Sequence, residues 1–165
     1  MDNRQKNDYE ILYKSLSDRY FRLLFITGTP EARTAFLHQI PGYDNQIQVS
    51  RKLVEILHTL PIGQQTKNVT EFFACLGEDS SAVFLSDIEI LFDRSLNLDP
   101  VKLLKNAARN RAIVVDWPGE VDFVANKLIY AVPEHSEYFS TELTEEVLFF
   151  DVSGRNSLNN TAVRS

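Results

Sequence analysis

The sequence contains a single cysteine, three scattered histidines and no long apolar segment. One cysteine cannot form an internal disulfide, and isolated histidines do not make a metal-ligand cluster. No segment approaches the roughly 18 apolar residues that a membrane helix needs. The first residues, MDNRQKND, carry no apolar segment typical of a secretory signal. These absences predict a cytoplasmic protein with no metal site and no membrane partner.

Negative charge is concentrated near the C-terminus. The 165 residues include 17 Lys+Arg and 23 Asp+Glu, which gives a formal net charge of −6. Residues 1–115 carry fourteen acidic and fourteen basic side chains, whereas residues 116–151 carry nine acidic side chains and one basic one, Lys127. An acidic segment of this kind repels phosphate backbones over a Debye length of about 8 Å. Binding of nucleic acid by the domain as a whole is therefore disfavoured.

Short apolar segments alternate with amphipathic helical segments along the chain. Buried strands are predicted at four apolar segments and at one weaker one: 21–26, 82–85, 112–115, 127–132 and 47–49. Helices are predicted at five places: 8–20, 31–40, 50–60, 69–76 and from Asp99 onward. Residues 145–152 fit either a helix or a strand. The alternation predicts one α/β domain over 1–152, a mostly parallel sheet with helices on both faces, followed by a disordered polar tail at 153–165.

Ligands of parallel α/β folds bind beyond the carboxyl ends of the strands, where the strand order reverses. This rule selects three loops as candidate sites: Thr27–Arg33, Ser86–Asp93 and Asp116–Asp122.

The first loop has the position of a phosphate-binding loop, between a strand and a helix. The pattern GxxxxGK[ST] requires a second glycine and a lysine, but the chain has Gly28, then Thr-Pro-Glu-Ala, then Arg33-Thr34. The second glycine is missing, the spacing is one residue shorter, and arginine replaces lysine. Thr29 suits an N-cap, and the next two residues suit a first helical turn. The loop is either a capped structural helix start or a weakened nucleotide site with Gly28, Arg33 and Thr34.

The second loop is similar to a Walker B segment, in which a carboxylate after an apolar strand holds Mg²⁺. Here the metal position falls on Ser86, while Asp87 and Glu89 are the carboxylates within reach. Acidic residues at a strand end are also common as solvent-facing caps, so both interpretations stay open.

The third loop, Asp116-Trp-Pro-Gly-Glu120, is a strong turn signal and carries the only tryptophan. Two interpretations of Trp117 are open: its ring stacks on a ligand or partner, or it packs against the end of the sheet. Together with Glu120 and Asp122 of the acidic segment, it forms a candidate docking site.

Basic residues recur at helical spacing at Lys102, Lys105 and Arg109, with Arg111 just beyond. These residues either contact nucleic-acid phosphates or form a solvated helix face. Cys75 is expected in the core among its apolar neighbours. The sequence shows no nucleophilic triad, so no catalytic residue is assigned.

Five segments together resemble BrxF, the family of small P-loop-containing proteins of bacterial BREX phage-defence systems. They are Asp87-Ile-Glu-Ile-Leu-Phe-Asp93, Leu98-Asp-Pro-Val-Lys-Leu-Leu104, Arg109-Asn-Arg111, Trp117-Pro-Gly-Glu-Val121 and Tyr130-Ala-Val-Pro-Glu-His-Ser-Glu-Tyr138. The resemblance extends over about residues 22–138 and implies a P-loop NTPase domain, a role in cytoplasmic antiviral defence, and ATP with Mg²⁺ as cofactor.

The chain departs from that family at Glu31-Ala-Arg-Thr34 and at Ser86. One hypothesis is therefore a binding or regulatory subunit of a defence system, with ATP bound weakly or not at all. The alternative is an ATP-binding or ATPase subunit that uses Arg33 and Thr34 in place of Lys-Thr. Other BREX proteins would be its partners, and self-association stays open.

Overall fold

In the computed structural model, which describes residues 2–76 and 82–153, helices cover both faces of a parallel sheet. Five helices are described: α1 (Asn3–Ser15), α2 (Pro30–Leu37), α3 (Val49–Leu57), α4 (Ile62–Ala74) and α5 (Pro100–Ala107). The strands are β1 (Leu23–Thr27), β2 (Ile47–Gln48), β3 (Ala82–Ser86), β4 (Ala112–Asp116), β5 (Glu120–Asp122), β6 (Lys127–Tyr130), β7 (Phe139–Glu142) and β8 (Leu148–Asp151).

The central sheet has five strands in the order β2-β3-β4-β1-β8, and every neighbouring pair is parallel. This confirms the predicted α/β class with a parallel sheet. Three of the five strands, β1, β3 and β4, lie at predicted apolar segments, and β2 lies at the weaker predicted segment 47–49. All five strands therefore end at one edge, here called the carboxyl edge, and begin at the opposite amino edge.

Each face of the sheet has its own apolar core. Successive residues of a strand point to opposite faces, so Leu24 and Ile26 of β1 pack with α1 and α2, whereas Leu23 and Phe25 pack with α3, α4 and α5. Burial on both faces explains why the strands consist of continuous apolar residues. At about 25 cal/mol per Å² of buried apolar area, these two cores supply most of the stabilising free energy.

A second sheet, with three antiparallel strands in the order β5-β6-β7, is inserted between β4 and β8. Leu128 of β6 is buried in the core on the α3–α5 side. The strand predicted at residues 127–132 is present as β6, but it belongs to this antiparallel sheet and not to the central parallel one. Residues 145–152, which fitted a helix or a strand, contain the edge strand β8.

Several helix boundaries differ from their sequence-based positions. Helix α1 begins at Asn3 because the Asp2 side chain accepts a hydrogen bond from the Arg4 backbone N–H. Helix α4 begins at Ile62, directly after Pro61, so the polar residues before Val69 are helical. Of the tail at 153–165, Ser153 is described and hydrogen-bonded, and 154–165 lie outside the described residues.

Candidate functional site

The three loops selected from the sequence meet at the carboxyl edge. They follow β1, β3 and β4, and β4 lies between the other two strands. Because neighbouring strands lie roughly 4.8 Å apart, the ends of β1 and β3 are separated by about 10 Å. On the other side of β1, the end of β8 brings Asp151 next to Thr27. The arrangement places the polar residues of four strand ends within one small region.

Arg33 lies in the first turn of α2, and its guanidinium group bridges two of these strand ends. Its Nε donates to Asp116 Oδ1 at 2.6 Å, and its Nη1 donates to the Gly28 carbonyl at 2.7 Å. The Arg33 side chain is 10% exposed, and the Asp116 side chain is 23% exposed. Since a buried charge is costly without partners, these contacts hold the cation in place. Arg33 thus connects the β1–α2 loop to the end of β4.

Three backbone N–H groups of the first loop are engaged within the protein. Thr29 N–H donates to Ser153 Oγ at 2.9 Å, and Ala32 N–H donates to the capping Thr29 Oγ1 at 3.2 Å. Arg33 N–H donates to the Thr29 carbonyl at 2.9 Å, and Pro30 has no N–H to offer. A phosphate cradle needs several free N–H groups directed at one point. The geometry here is that of a capped helix start.

Gly28 allows the first loop to approach the end of β8. Its φ is +132°, and a Cβ at this position would lie 2.6 Å from Ser153 Oγ and 2.9 Å from a Val152 methyl carbon. The adjoining cavity, lined by Thr27, Gly28, Glu120, Val121, Phe123 and Asp151, has a volume of about 70 Å³. Typical small-molecule pockets measure roughly 300–1,000 Å³. The glycine therefore serves chain packing, and the remaining space is far smaller than a nucleotide.

Ser86 ends β3 in a buried position, and its side chain is within hydrogen-bonding reach of the Tyr43 hydroxyl. Burial, followed by the negative charge of Asp116, raises the pKa of Tyr43 to about 12. Tyr43 therefore stays neutral at ordinary pH and supplies a polar group beside Arg33 and Asp116.

Three carboxylates gather at the same edge: Asp87, Glu89 and Asp116. Burial raises the pKa of Glu89 above its usual 4.5, and a hydrogen bond to Asp87 and the charges of Asp87 and Asp116 raise it further. Glu89 Oε2 is buried without a hydrogen-bond partner among the residues described. Asp87 has φ +52°, and its carbonyl accepts hydrogen bonds from the N–H and hydroxyl of Ser50. At these strand ends the carboxylates outnumber Arg33, which opposes binding of a polyphosphate.

Trp117 lies in the core, so the packing interpretation of the third loop is the one that the structure shows. Its side chain is completely buried, and its Nε1 donates to the Ile129 carbonyl at 3.1 Å. Its ring meets Phe25 and Phe92 edge-on, with centroids 5.3 Å and 5.6 Å away. The expectation that Trp117 anchors a partner is wrong for this conformation, because none of the ring is exposed.

The other candidate docking residues lie on the inserted sheet. Glu120 is exposed at the start of β5. Asp122 is half-buried, and its Oδ1 accepts hydrogen bonds from Val124 N–H and Ala125 N–H, which fixes the β5–β6 turn. Glu120 therefore remains available to a partner, whereas Asp122 already has a local structural role.

The basic residues Lys102, Lys105, Arg109 and Arg111 do not form one helix face. Arg111 lies beyond α5, just before β4, and Lys105 forms an ion pair with Glu146. Lys102 and Arg109 are exposed. Cys75, expected in the core, is exposed because it follows the last residue of α4, Ala74. Thr34, the third candidate of the first loop, is exposed on α2.

Sequence reasoning missed Tyr43, Asp151 and Ser153. Asp151 ends β8, so a strand assignment for residues 145–152 would have placed it at the carboxyl edge. Tyr43 follows a Pro-Gly pair and Ser153 follows a strand, and neither position carries a motif that indicates its contacts.

Within residues 2–76 and 82–153, no group of three or more His, Cys, Asp or Glu side chains is arranged to hold a metal ion. In the same ranges, no helix is long and apolar enough to cross a membrane. Comparison with known proteins found no matching family model, no matching curated protein and no matching solved structure.

Proposed function

We propose that the protein is a non-hydrolysing, P-loop-derived binding subunit of a BREX-type phage-defence system. The single observation that carries the non-hydrolysing part is the Arg33 bridge. The residue at the lysine position of the first loop contacts Asp116 and the Gly28 carbonyl, both within the protein. A phosphate-binding cation must instead direct its donors at the ligand.

The neighbouring groups support the same conclusion. Ser153 Oγ accepts the Thr29 N–H that a phosphate would need, and Glu31 places a negative charge at the positive end of the α2 dipole. Ser86 is buried at the end of β3, where a metal-binding carboxylate would be expected, and burial raises the pKa of Glu89. Binding of ATP with Mg²⁺ would have to displace Arg33 and Ser153 together.

The defence setting comes from the resemblance of five segments to BrxF, and a parallel α/β sheet is compatible with a P-loop-like or Rossmann-like domain. One of those segments, Trp117-Pro-Gly-Glu-Val121, has a physical explanation in this fold. A Cβ on Gly119 would lie 1.8 Å from the Ile129 carbonyl oxygen, and the Trp117 indole donates to that same carbonyl. The segment therefore attaches the inserted sheet to the core.

The inserted sheet is the surface that we assign to a partner. Its strands and loops expose three acids, Glu120, Glu134 and Glu142, and one base, Lys127. The apolar side chains of Val124 and Val132 are 100% and 58% exposed. An acidic surface with exposed valines fits a partner that presents basic and apolar side chains.

Nucleotide binding can be tested by calorimetric titration of the full chain with ATP and Mg²⁺. We expect no heat of binding for the unmodified protein or for Thr34→Ala, which removes the hydroxyl that an ATPase would use for the metal. Saturable binding that is lost in Thr34→Ala would contradict the argument that the first loop is closed to nucleotide, and it would favour the ATP-binding alternative with Arg33 and Thr34.

Partner binding can be tested in a bacterium whose defence system includes this protein. The variant Glu120→Gln/Glu134→Gln/Glu142→Gln should lose salt-sensitive association with defence proteins in pull-downs and should lose phage protection in plaque assays. The matched control Glu10→Gln/Asp44→Asn/Glu55→Gln changes three exposed acids elsewhere by the same charge. Equal protection by both folded variants would exclude the inserted sheet as the docking surface. No effect of deleting the protein on phage protection would exclude the defence role.

A further inference from the structure

The amino edge of the central sheet collects basic side chains from two distant parts of the sequence. Arg22 directly precedes β1 and Arg111 directly precedes β4, and these strands are neighbours. Hydrogen bonds of 2.8 Å join Arg22 N–H to the Ala108 carbonyl and Ile113 N–H to the Arg22 carbonyl. The end of α5 therefore lies beside the start of β1. We call the resulting surface the amino-edge surface; its members are Arg19, Tyr20, Phe21, Arg22, Lys105, Arg109 and Arg111.

Most of the positive charge of this surface is not neutralised by the protein. Among the residues described, Lys105 forms an ion pair with Glu146, whereas none of the four arginines forms one with a carboxylate. Arg19 donates only to the Glu145 carbonyl. Arg19 Nε, Arg22 Nε and Arg111 Nη1 are buried and have no acceptor in the described ranges.

Within residues 2–76 and 82–153, few acids share this edge of the molecule. Glu146 pairs with Lys105, the Glu145 carbonyl accepts a hydrogen bond from Arg19, and Asp18 is next to Arg19 in the sequence. The described part of the amino-edge surface therefore carries five basic side chains against these three acids, although the whole chain has a net charge of −6.

An exposed aromatic ring lies among these cations. Tyr20 is 66% exposed, and the Arg109 guanidinium carbon is 5.1 Å from its ring centroid. Phe21 meets Tyr20 edge-on with centroids 4.8 Å apart, and Lys105 Nζ is 4.7 Å from the Phe21 centroid. Exposed rings that stack on bases, with arginines that contact phosphates, are the usual chemistry of single-strand nucleic-acid binding.

We propose that the amino-edge surface binds single-stranded nucleic acid, with a base stacked on Tyr20 and phosphates bound by Arg22, Arg109 and Arg111. A single strand is favoured over a duplex because duplex bases are not free to stack on a protein ring. It is favoured over an acidic polypeptide because Tyr20 is 66% exposed next to the cations, and a purely ionic partner would not require an exposed aromatic side chain. This proposal does not depend on whether the first loop holds a nucleotide.

The test is fluorescence anisotropy of the full chain with a labelled oligothymidylate of about 12 nucleotides, which falls within the known site sizes of roughly 4–16. With three phosphate contacts, log K should fall with log salt at a slope of about −2, because each contact on a single strand contributes about −0.7. Affinity should therefore weaken about 20-fold between roughly 50 and 200 mM salt. Tyr20→Ala should weaken binding about 5- to 150-fold, and Tyr20→Phe should keep it.

Arg109→Gln should reduce the salt slope by about 0.7. The matched control is Lys52→Gln, which removes an exposed positive charge at the start of α3, beside the carboxyl edge, and should leave the slope unchanged. Arg109 and Tyr20 are both exposed, so these variants should fold normally. The proposal is overturned if the unmodified protein does not bind the oligonucleotide at low salt, if Tyr20→Ala binds equally well, or if polyglutamate binds the same surface more tightly.

Discussion

Substitution of Arg33 by methionine tests whether this arginine is a structural bridge or a ligand-binding group. Methionine has an unbranched apolar side chain that fills part of the space of arginine but has no hydrogen-bond donor. The substitution therefore removes both hydrogen bonds of the guanidinium group, 2.6 Å to Asp116 and 2.7 Å to the Gly28 carbonyl. Removal of one partner from a buried ion pair costs about 3–5 kcal/mol. Because the Asp116 side chain is 23% exposed and can be partly rehydrated, we expect a loss about 1 kcal/mol smaller than that range. The free energy of unfolding should fall by about 2–4 kcal/mol.

Urea denaturation followed by the fluorescence of the single, buried Trp117 measures this change directly. The melting temperature should fall by roughly 4–16 °C, since 1 kcal/mol corresponds to about 2–4 °C in a domain of this size. Arg51→Met is the matched control, because Arg51 is exposed and makes only one long hydrogen bond, 3.5 Å to Gln48. The double variant Arg33→Met/Asp116→Leu should recover part of the loss, because apolar residues often replace buried ion pairs without destabilisation. An Arg33→Met protein as stable as Arg51→Met would refute the bridge and return Arg33 to a role in ligand binding.

Three further predictions concern stability. Trp117→Ala should lower the free energy of unfolding by about 3–5 kcal/mol, because a completely buried ring and its hydrogen bond are lost. Circular dichroism in denaturant measures this change, and a loss below about 1 kcal/mol would contradict the burial of the ring. Gly119→Ala should destabilise by about 1–3 kcal/mol because its Cβ would meet the Ile129 carbonyl, whereas Gly63→Ala, in open space on α4, should be neutral or stabilising in the same assay. Glu89→Gln should stabilise the protein at neutral pH. The raised pKa of Glu89 means that the folded state binds more protons above about pH 4.5, so stability falls as pH rises through the folded pKa. The gain should disappear below the unfolded pKa in melting curves across pH, and a gain that persists there would have another cause.

The strands of the central sheet could be predicted because each one can be recognised from its own apolar residues. The apolar segments at 82–85 and 112–115 became β3 and β4 almost without change, since burial on both faces selects continuous apolar residues. The start of α5 could be predicted as well, because Asp99 caps it and Pro100 occupies its first position. The start of α4 could not, because Pro61 is equally compatible with the end of one helix and the start of the next.

The strand at residues 127–132 was predicted, but β5 and β7 were missed because they are only three and four residues long and show no strong alternation. The antiparallel pairing of β6 could therefore not be predicted. At the site, the predicted parallel topology correctly placed the three loops at one edge of the sheet. The hydrogen-bond partners of their side chains could not be predicted from the sequence. Arg33 and Asp116 are separated by 83 positions, and the sequence equally allowed Arg33 to face a phosphate. Burial of Trp117 likewise depends on β6, whose position the sequence did not predict.

Because the five strands are parallel, charged residues that precede the strands lie at the amino edge, and charged residues that follow them lie at the carboxyl edge. Asp116 and Asp151 end β4 and β8, and Asp87 directly follows β3. At the opposite edge, Arg22 and Arg111 precede the neighbouring strands β1 and β4. The edge at which α/β proteins usually bind their ligands is therefore predominantly acidic in this chain, and its one buried cation, Arg33, already has protein partners. The opposite edge carries arginines without carboxylate partners in the described residues. If this protein contacts a phosphate-bearing ligand, the electrostatics favour the amino edge, because there a phosphate meets several cations without displacing an internal ion pair.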